Sequence, residues 1–194
     1  MTAGGALSLS VINALGQPVP DATINITNFA IVPNINLSRI SDANGKWVEV
    51  GLPDSANSYH VVVTKSGYST DQTYPITVQN PSPTKGDATI ANGQVTQISF
   101  AIDQTSNLTF NTLNQTCGPI SGVPLEVKGS KIIGTPNVIK YDNTFTSDSS
   151  GQVPLSNIEW DNYTPALTGN TYMIYGSSPI QQINILPNTL KCLI

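Results

Sequence analysis

The stretch Leu7-Ser8-Leu9-Ser10-Val11 decides the fold of this chain, because it alternates apolar and polar side chains and is then repeated. Alternation with a period of two is typical of a β-strand that buries one face. A matching stretch follows much later in the chain, as Leu108-Thr109-Phe110-Asn111-Thr112. The chain therefore contains the same strand of a small β module twice.

The repeat extends well beyond that strand. Two further pairs of segments match at the same offset and a third at a slightly larger one: Pro18-Val19 with Pro119-Ile120, Ile24-Asn25-Ile26 with Leu125-Glu126-Val127, and Ser41-Asp42-Ala43-Asn44-Gly45 with Ser147-Asp148-Ser149-Ser150-Gly151. Each copy has roughly 90–100 residues, which is an ordinary length for one small domain. We therefore predict two tandem domains, residues 1–103 and 104–194, joined by a short linker.

The composition indicates which classes of protein this chain can belong to and which partners it can bind. Charged residues make up only 10% of the chain, whereas soluble domains average about 25%. The polar surface is thus built from neutral hydrogen-bonding groups. Such a composition is typical of secreted and cell-surface proteins. The hydrophobic content of 39% lies in strand-like runs and disfavours disorder, and a net charge of −4 without a basic stripe disfavours nucleic acid as a partner.

The sequence contains no recognisable targeting segment, so the location of the protein is inferred from other features. We expect no membrane span or membrane contact by this segment, because no run of about 20 apolar residues occurs. Met1-Thr2-Ala3-Gly4-Gly5 has neither the basic nor the apolar region of a signal peptide. We interpret the Met as an added start on a trimmed ectodomain and expect an extracellular or cell-surface location.

The strand signals predict an all-β fold. The strongest is Tyr59-His60-Val61-Val62-Val63-Thr64, which is rich in β-branched and aromatic residues. No segment has a sustained helical period, and in the second repeat strands are predicted near residues 108–113, 123–127, 152–155, 171–175 and 183–186. We predict two tandem antiparallel β-sandwich domains, transthyretin-like or immunoglobulin-like.

The two Ser-Asp-x-x-Gly segments have two interpretations. Asp42 and Asp148 resemble fragments of calcium loops, but a calcium site needs six to eight oxygen ligands and the bidentate Glu of an EF-hand is missing. We favour a turn in which each Asp accepts backbone N–H groups, with a residue of positive φ at its end. No metal or other cofactor is predicted.

Cys117 and Cys192 are the two cysteines, and both lie in the second repeat. They fall near the end of its first strand and in its last strand, which can be neighbours in a sandwich. We predict a disulfide, which would place the protein in an oxidising compartment. Two buried free thiols are the alternative.

Several segments resemble known families. Gly16-Gln-Pro-Val-Pro-Asp-Ala-Thr-Ile24, the Ser-Asp-x-x-Gly turn and the run Tyr59–Tyr68 resemble carboxypeptidase regulatory-like modules, which are transthyretin-like β-sandwiches without catalytic residues. Five other segments and Cys117 resemble prepilin-like surface proteins of uncultured bacteria: 65–71, 80–85, 93–96, 155–161 and 186–189. Such proteins begin with a hydrophobic pilin-type segment, as in type IV pilus subunits, and this chain departs from them by lacking it.

Candidate catalytic groups are few. His60 is the only histidine, and we interpret it as an ordinary strand residue, because a triad also needs a nucleophile and an orienting acid. Glu159 and Asp161 flank Trp160 like a glycosidase pair, but residues two apart on a strand lie too close for most acid–base geometries. An intramolecular Lys–Asn crosslink is disfavoured, since neither first strand contains a lysine, although Lys128 and Lys131 leave it open in the second repeat. We predict no enzyme activity.

The aromatic residues give the remaining site prediction. Trp160, Tyr163 and Tyr175 are candidate contacts for a glycan or a protein partner, although core and rim packing is the favoured use of the aromatic residues. The leading hypothesis is a non-enzymatic extracellular structural module, the ectodomain of a pilin-like or surface-anchored bacterial protein. Its partners would be further copies of itself or neighbouring surface proteins. The alternatives are a carbohydrate-binding or adhesive module and an accessory domain of a secreted peptidase.

Overall fold

The computed structural model describes residues 4–179 and 182–193, with side chains described up to residue 191. In this part of the chain all regular structure is β, and no helix that could span a membrane is present. The chain divides into two compact units. The first runs to Asp103 and also includes Ile133–Val138, and the second comprises Gln104–Ile132 and the chain from Ile139 onward.

Eighteen strands are described. The first nine are β1 (Gly5–Ile12), β2 (Thr23–Asn28), β3 (Ile35–Ile40), β4 (Lys46–Leu52), β5 (Ser55–Thr64), β6 (Asp71–Gln72), β7 (Ser82–Pro83), β8 (Ala88–Ile90) and β9 (Val95–Ala101). The others are β10 (Ser106–Asn111), β11 (Pro124–Lys128), β12 (Ile132–Thr135), β13 (Val138–Ile139), β14 (Asp142–Thr146), β15 (Gln152–Ile158), β16 (Asp161–Leu167), β17 (Ile183–Ile185) and β18 (Leu190–Leu193).

The core of the first unit lies between two sheets. One has the order β4-β1-β9, and the other has the order β3-β2-β5-β6, with β8 also pairing with β5. Alternate residues of β1 and β2 point inward, as the period of two predicts. They meet the buried side of β5 in one apolar core, whose fully buried members include Leu7, Leu9, Ile24, Ile26 and Val61.

The second unit repeats this plan. Its sheets have the orders β15-β10-β18 and β14-β11-β16-β17. The matching strands are β1 with β10, β2 with β11, β4 with β15 and β5 with β16. The core of the second unit includes Leu108, Leu125, Val127 and Leu155. The predicted all-β sandwich class is thus confirmed for the described residues.

One ladder between named strands in each unit is parallel. β1 runs parallel to β9, with Ala6 opposite Val95 and Ile12 opposite Ala101. β10 likewise runs parallel to β18, with Asn107 opposite Leu190. The first and last strands of each unit are therefore direct neighbours in a mixed sheet.

The Ser-Asp-x-x-Gly turns have the same structure in both units. Asp42 Oδ1 accepts the N–H groups of Asn44 and Lys46 at 2.8 Å, and Asp148 Oδ1 accepts those of Ser150 and Gln152 at 2.8 and 2.9 Å. The predicted role of the aspartates in capping the turns is confirmed.

The serine of each motif ties the turn to the core. Ser41 Oγ accepts the N–H of Ala22 and donates to Val19 O, both at 2.9 Å. Ser147 Oγ makes the same two bonds, with Val123 N–H and Ile120 O, also at 2.9 Å. Both serines are buried, so these bonds satisfy backbone groups that water does not reach.

Residues 133–138 group with the first unit, where β12 pairs with β7 through Gly134 and Pro83. One prediction from the sequence requires correction. The predicted strand at 171–175 is a loop, and the strand that pairs with β11 is β16. Pro165 lies within β16, and a proline is an unfavourable signal for a central strand because it cannot donate to the ladder.

Candidate functional site

Trp160 lies between β15 and β16 and is half-buried. The Lys131 ammonium lies 3.5 Å from the centre of its ring, as a cation–π contact. One face of the indole is therefore covered by a lysine of the same unit. A sugar ring that stacked on that face would have to displace the lysine.

The lysine that lies against this tryptophan belongs to a cluster of charged groups. Glu159 pairs with the ammonium groups of both Lys131 and Lys140, the latter at 2.5 Å. Burial lowers the pKa of Lys131, and the contact with Glu159 opposes that change. Lys128 pairs instead with Glu126 at 2.9 Å, so both lysines considered for a crosslink contact carboxylates.

Asp161 is a structural carboxylate. It accepts the Ser130 N–H at 2.9 Å, the Ser130 hydroxyl at 2.6 Å and the Lys131 N–H at 3.2 Å. Glu159 forms ion pairs with two lysines, and Asp161 accepts hydrogen bonds from the turn at Ser130. Both carboxylates therefore stabilise local structure rather than forming an acid–base pair.

Tyr163 is a core residue with only 1% of its surface exposed. Its hydroxyl donates to Glu159 O at 2.9 Å, and its ring meets Tyr141 edge-on at 5.3 Å. Burial raises the pKa of Tyr163, so the hydroxyl stays protonated. The side chain does not reach the surface and cannot make the contact predicted for it.

Tyr59 has the matching position in the first unit. It is fully buried, its hydroxyl donates to Pro53 O at 2.7 Å, and burial raises its pKa as well. Each unit thus has a buried tyrosine whose hydroxyl bonds to the backbone just before its own strand, a repeated feature that the sequence comparison missed.

Tyr175 lies apart from these residues, in the loop between β16 and β17, and is 97% exposed. It borders a cavity of about 520 Å³ that is also lined by Thr112, Ile120 and Tyr172. An adjoining cavity of about 120 Å³ is lined by Phe110, Leu125 and Ile183, and both include Thr112 and Ile174. We call the two together the β10 groove. Among the residues that the structure describes, none that lines this groove is charged.

His60 lies in a polar cluster of the first unit. Its Nδ1 is 2.8 Å from Asp87 Oδ1 and 3.3 Å from Thr73 Oγ1, and Thr73 also donates to Asp87 Oδ1 at 2.8 Å. A catalytic triad needs the acid on one ring nitrogen and the nucleophile on the other. Here the same nitrogen faces both partners and Thr73 is fully buried, so the cluster joins β5 to the segments that follow it.

A second ion pair of the first unit lies against the last strand. Lys85 Nζ contacts Asp71 Oδ2 at 2.5 Å and lies 4.7 Å from the centre of the Phe100 ring. Asp71 Oδ2 also accepts the N–H of Ala101 at 2.8 Å. These contacts hold the end of β9 in place.

The remaining predictions concern metals and the disulfide. The described residues contain no group of three or more side chains that could hold a metal ion. Cys117 is exposed in the turn after β10 and has no disulfide partner among the side chains that the structure describes. The side chain of Cys192 lies outside the described residues, so its pairing stays a prediction.

Comparison with known proteins gives only distant likenesses. No protein-family model and no curated protein matches the chain. The similar solved structures include the Bacillus anthracis TIE protein, with 12% identity, a TM-score of 0.40 and coverage of 97% of this chain. This chain spans only 33% of that protein's length.

Two further likenesses are to pilins. GBS52, the minor pilin of Streptococcus agalactiae, has 12% identity and a TM-score of 0.39, with 97% of this chain and 93% of that chain covered. The shaft pilin SpaA of Lactobacillus rhamnosus GG has 12% identity and a TM-score of 0.33, with 98% and 96% covered. The resemblance to carboxypeptidase regulatory-like modules has no matching family model.

Proposed function

We propose that this chain is a non-enzymatic, load-bearing module of the bacterial cell surface, the ectodomain of a pilin-like or surface-anchored protein. The observation that carries the proposal is the parallel pairing of the first and last strands in each unit. The neutral polar composition, with 10% charged residues, is typical of an extracellular location.

The pairing determines how each unit bears tension. In a parallel pair, the chain enters at the start of one strand and leaves at the far end of its neighbour. Tension between the ends of the unit therefore slides the two strands past each other and stretches all the hydrogen bonds of the ladder together. If the ladder were instead pulled open from one end, its bonds would break one after another at a lower force.

Force spectroscopy on single molecules tests this role. The full chain is held by its two ends, and Ser8→Pro is compared with Val48→Pro. Ala6 N–H donates to Gln94 O and Ile12 O accepts from Ile102 N–H, so the even-numbered residues of β1 direct their backbone groups at β9. Ser8→Pro therefore removes a donor of the parallel ladder.

Val48 is the matched control. It lies opposite Ser8 on the edge strand β4, and its N–H points away from β1. We expect Ser8→Pro to lower the unfolding force of the first unit clearly more than Val48→Pro does. Equal effects of the two variants, or a wild-type force no greater than that of a unit pulled open strand by strand, would exclude the load-bearing role.

The location requires its own measurement. Antibodies against the chain should label intact cells of the organism that makes it as strongly as they label permeabilised cells. Labelling only after the cells are opened would contradict the surface assignment.

A further inference from the structure

β4 is an edge strand of the first unit, and among the described strands it pairs only with β1. Val11 N–H donates to Gly45 O, so Gly45 and every second residue after it direct their backbone groups at β1. Val48 and Val50 are the residues between, and their N–H and C=O groups therefore point away from the sheet. These four groups have no strand partner in the described part of the chain.

The free edge is also apolar. The side chains of Val48 and Val50 are 53% and 70% exposed. Natural sheets usually protect an exposed edge with a lysine, a proline or a bulge. On β4, Lys46 lies at one end of the strand and Gly51 at the irregular other end, so the two valines between them are unprotected.

The matching edge of the second unit is protected. β15 is the edge strand that corresponds to β4, and Pro154 and Ser156 take the places of Val48 and Val50. A proline has no N–H to donate to a neighbouring strand, which is why it is common on sheet edges. The repeat therefore blocks this edge in one unit and leaves it able to pair in the other.

We propose that β4 pairs with β4 of a second copy of this chain, as two antiparallel strands about a two-fold axis. The axis passes between the two copies of Glu49, and Val48 of each copy lies opposite Val50 of the other. In this register the four free backbone groups of each copy all form hydrogen bonds, and the valines form two cross-strand pairs. The two three-stranded sheets then form one continuous sheet.

The charges on β4 suit a second copy. Two carboxylates directly opposite each other on paired strands repel, and the two-fold axis places Glu49 opposite itself. However, Glu49 accepts two hydrogen bonds from Arg39 of its own chain, at 2.7 and 3.1 Å, and one from Trp47 Nε1 at 3.0 Å. Each carboxylate is therefore already neutralised by an ion pair when the two edges meet.

Pairing through this edge stops at two copies. A contact about a two-fold axis uses the same surface of both partners, so no equivalent surface is left for a third copy. Pro154 keeps the second unit from offering the matching edge. The pairing is a property of the first unit and does not depend on the load-bearing role proposed above.

Sedimentation equilibrium of the full chain measures the pairing. Val48→Pro removes two of the four hydrogen bonds between the copies, whereas the matched control Val48→Thr keeps the N–H and the β-branched shape. We expect a monomer–dimer equilibrium for the wild type and a dissociation constant raised at least tenfold by Val48→Pro but no more than about threefold by Val48→Thr. Equal effects of the two variants would overturn the proposal. So would a wild type that stays monomeric at millimolar concentration, which would leave the edge to a strand of another protein.

A second measurement separates loss of pairing from loss of structure. The sheet should accept Val48→Pro, because the second unit carries Pro154 at the matching position of its own edge strand. Urea unfolding of the monomer, followed by the fluorescence of Trp47 in a Trp160→Phe background, should therefore show a cooperative transition of the first unit for this variant.

Cysteine crosslinking locates the interface and decides the question if Val48→Pro does not fold. Residues opposite each other in a non-hydrogen-bonded antiparallel pair have Cα atoms about 4.5 Å apart, which a disulfide can span. In a background with Cys117→Ser and Cys192→Ser, Glu49→Cys should therefore form a covalent dimer on mild oxidation. Gln97→Cys, on the opposite edge strand β9, should not. The absence of a dimer with Glu49→Cys, or an equal yield with Gln97→Cys, would overturn the proposal.

Discussion

The two units share one strand plan, but their described residues pack differently at one end of the core. In the first, Phe100 and Ile102 fill the end of the core and are fully buried. In the second, the matching region is the open β10 groove, bordered by the loop with Tyr172 and Ile174. The comparison teaches that the turns and the first strands are enough to set the plan, whereas the packing at this end of the core differs between the described residues of the two units.

The two units also differ in the backbone of the matching strands β5 and β16. Val61 N–H in β5 donates to Thr73 Oγ1 at 2.9 Å, and Thr73 is fully buried. The matching residue of β16 is Pro165, which has no N–H to satisfy. A proline therefore removes a donor at the place where the first unit uses a buried threonine as its partner.

The largest expected effect comes from opening the first core. Phe100→Ala should lower its free energy of unfolding by about 3–5 kcal/mol, because the change leaves a cavity among fully buried residues. Phe110→Ala should cost the second unit less, about 2–3 kcal/mol, since that side chain already borders open space.

Each unit has one tryptophan, which makes the measurement selective. Trp47 reports the first unit in a Trp160→Phe background, and Trp160 reports the second in a Trp47→Phe background. Urea unfolding followed by fluorescence gives both free energies. Equal losses for the two alanine variants would mean that the groove is as tightly packed as the first core.

The next largest effect tests what the units have in common. Gly45 and Gly151 both have φ near +70°, and a Cβ added to them would lie 2.3 Å from Val11 O and 2.7 Å from Thr112 O. We expect Gly45→Ala and Gly151→Ala each to cost more than about 2 kcal/mol, from left-handed strain plus backbone displacement.

Gly51→Ala is the matched control for the glycines. Its φ is +73°, but an added Cβ would meet nothing within 4 Å, so only the strain of about 1–2 kcal/mol remains. The same urea titration checks all three variants. If Gly51→Ala is as costly as the other two, close approach to the first strand is not what the motif requires.

The repeated turns were predictable from the sequence because each residue of the motif acts locally. Asp42 and Asp148 bond to N–H groups two and four residues later, so the spacing alone identifies the turn. The alternation of Leu7, Leu9 and Val11 likewise identified the buried face of β1.

The misassigned strand and the missed tyrosine pair depended on information that is not local. Pro165 makes β16 resemble a loop, and the apolar run near Tyr172 resembles a strand although it lies in a loop. Loops of different length also shift the two repeats, so Tyr59 and Tyr163 match only when β5 and β16 are aligned through their pairing with β2 and β11.

The tyrosines give a smaller test of that equivalence. Tyr59→Phe and Tyr163→Phe should each lower the stability of their own unit by about 1 kcal/mol, because each removes one buried hydroxyl-to-carbonyl hydrogen bond. Tyr175→Phe, at a 97% exposed position, should have no measurable effect. A loss in only one unit would show that the two hydroxyls are not equivalent.

The smallest expected effect on stability concerns Glu49 on β4, a position at which the two units have different residues. In the first unit, Glu49 accepts two bonds from Arg39, at 2.7 and 3.1 Å, and one from Trp47 Nε1 at 3.0 Å. These contacts, chiefly the hydrogen bond from Arg39, lower the pKa of Glu49 below 4.5. The second unit has the buried Leu155 at this position.

A lowered carboxyl pKa contributes stability that is present above the unfolded-state value and is lost as the pH falls through the folded-state value. Glu49→Gln should therefore cost the first unit about 1 kcal/mol or less near pH 7, since the pair is partly exposed to solvent. The difference from wild type should shrink as the pH falls below about 4.5. Urea titrations across that pH range should show the shrinking difference in the first unit. The second unit should show no such difference, because Leu155 has no proton to gain. A difference that does not depend on pH would mean that Glu49 acts through packing alone.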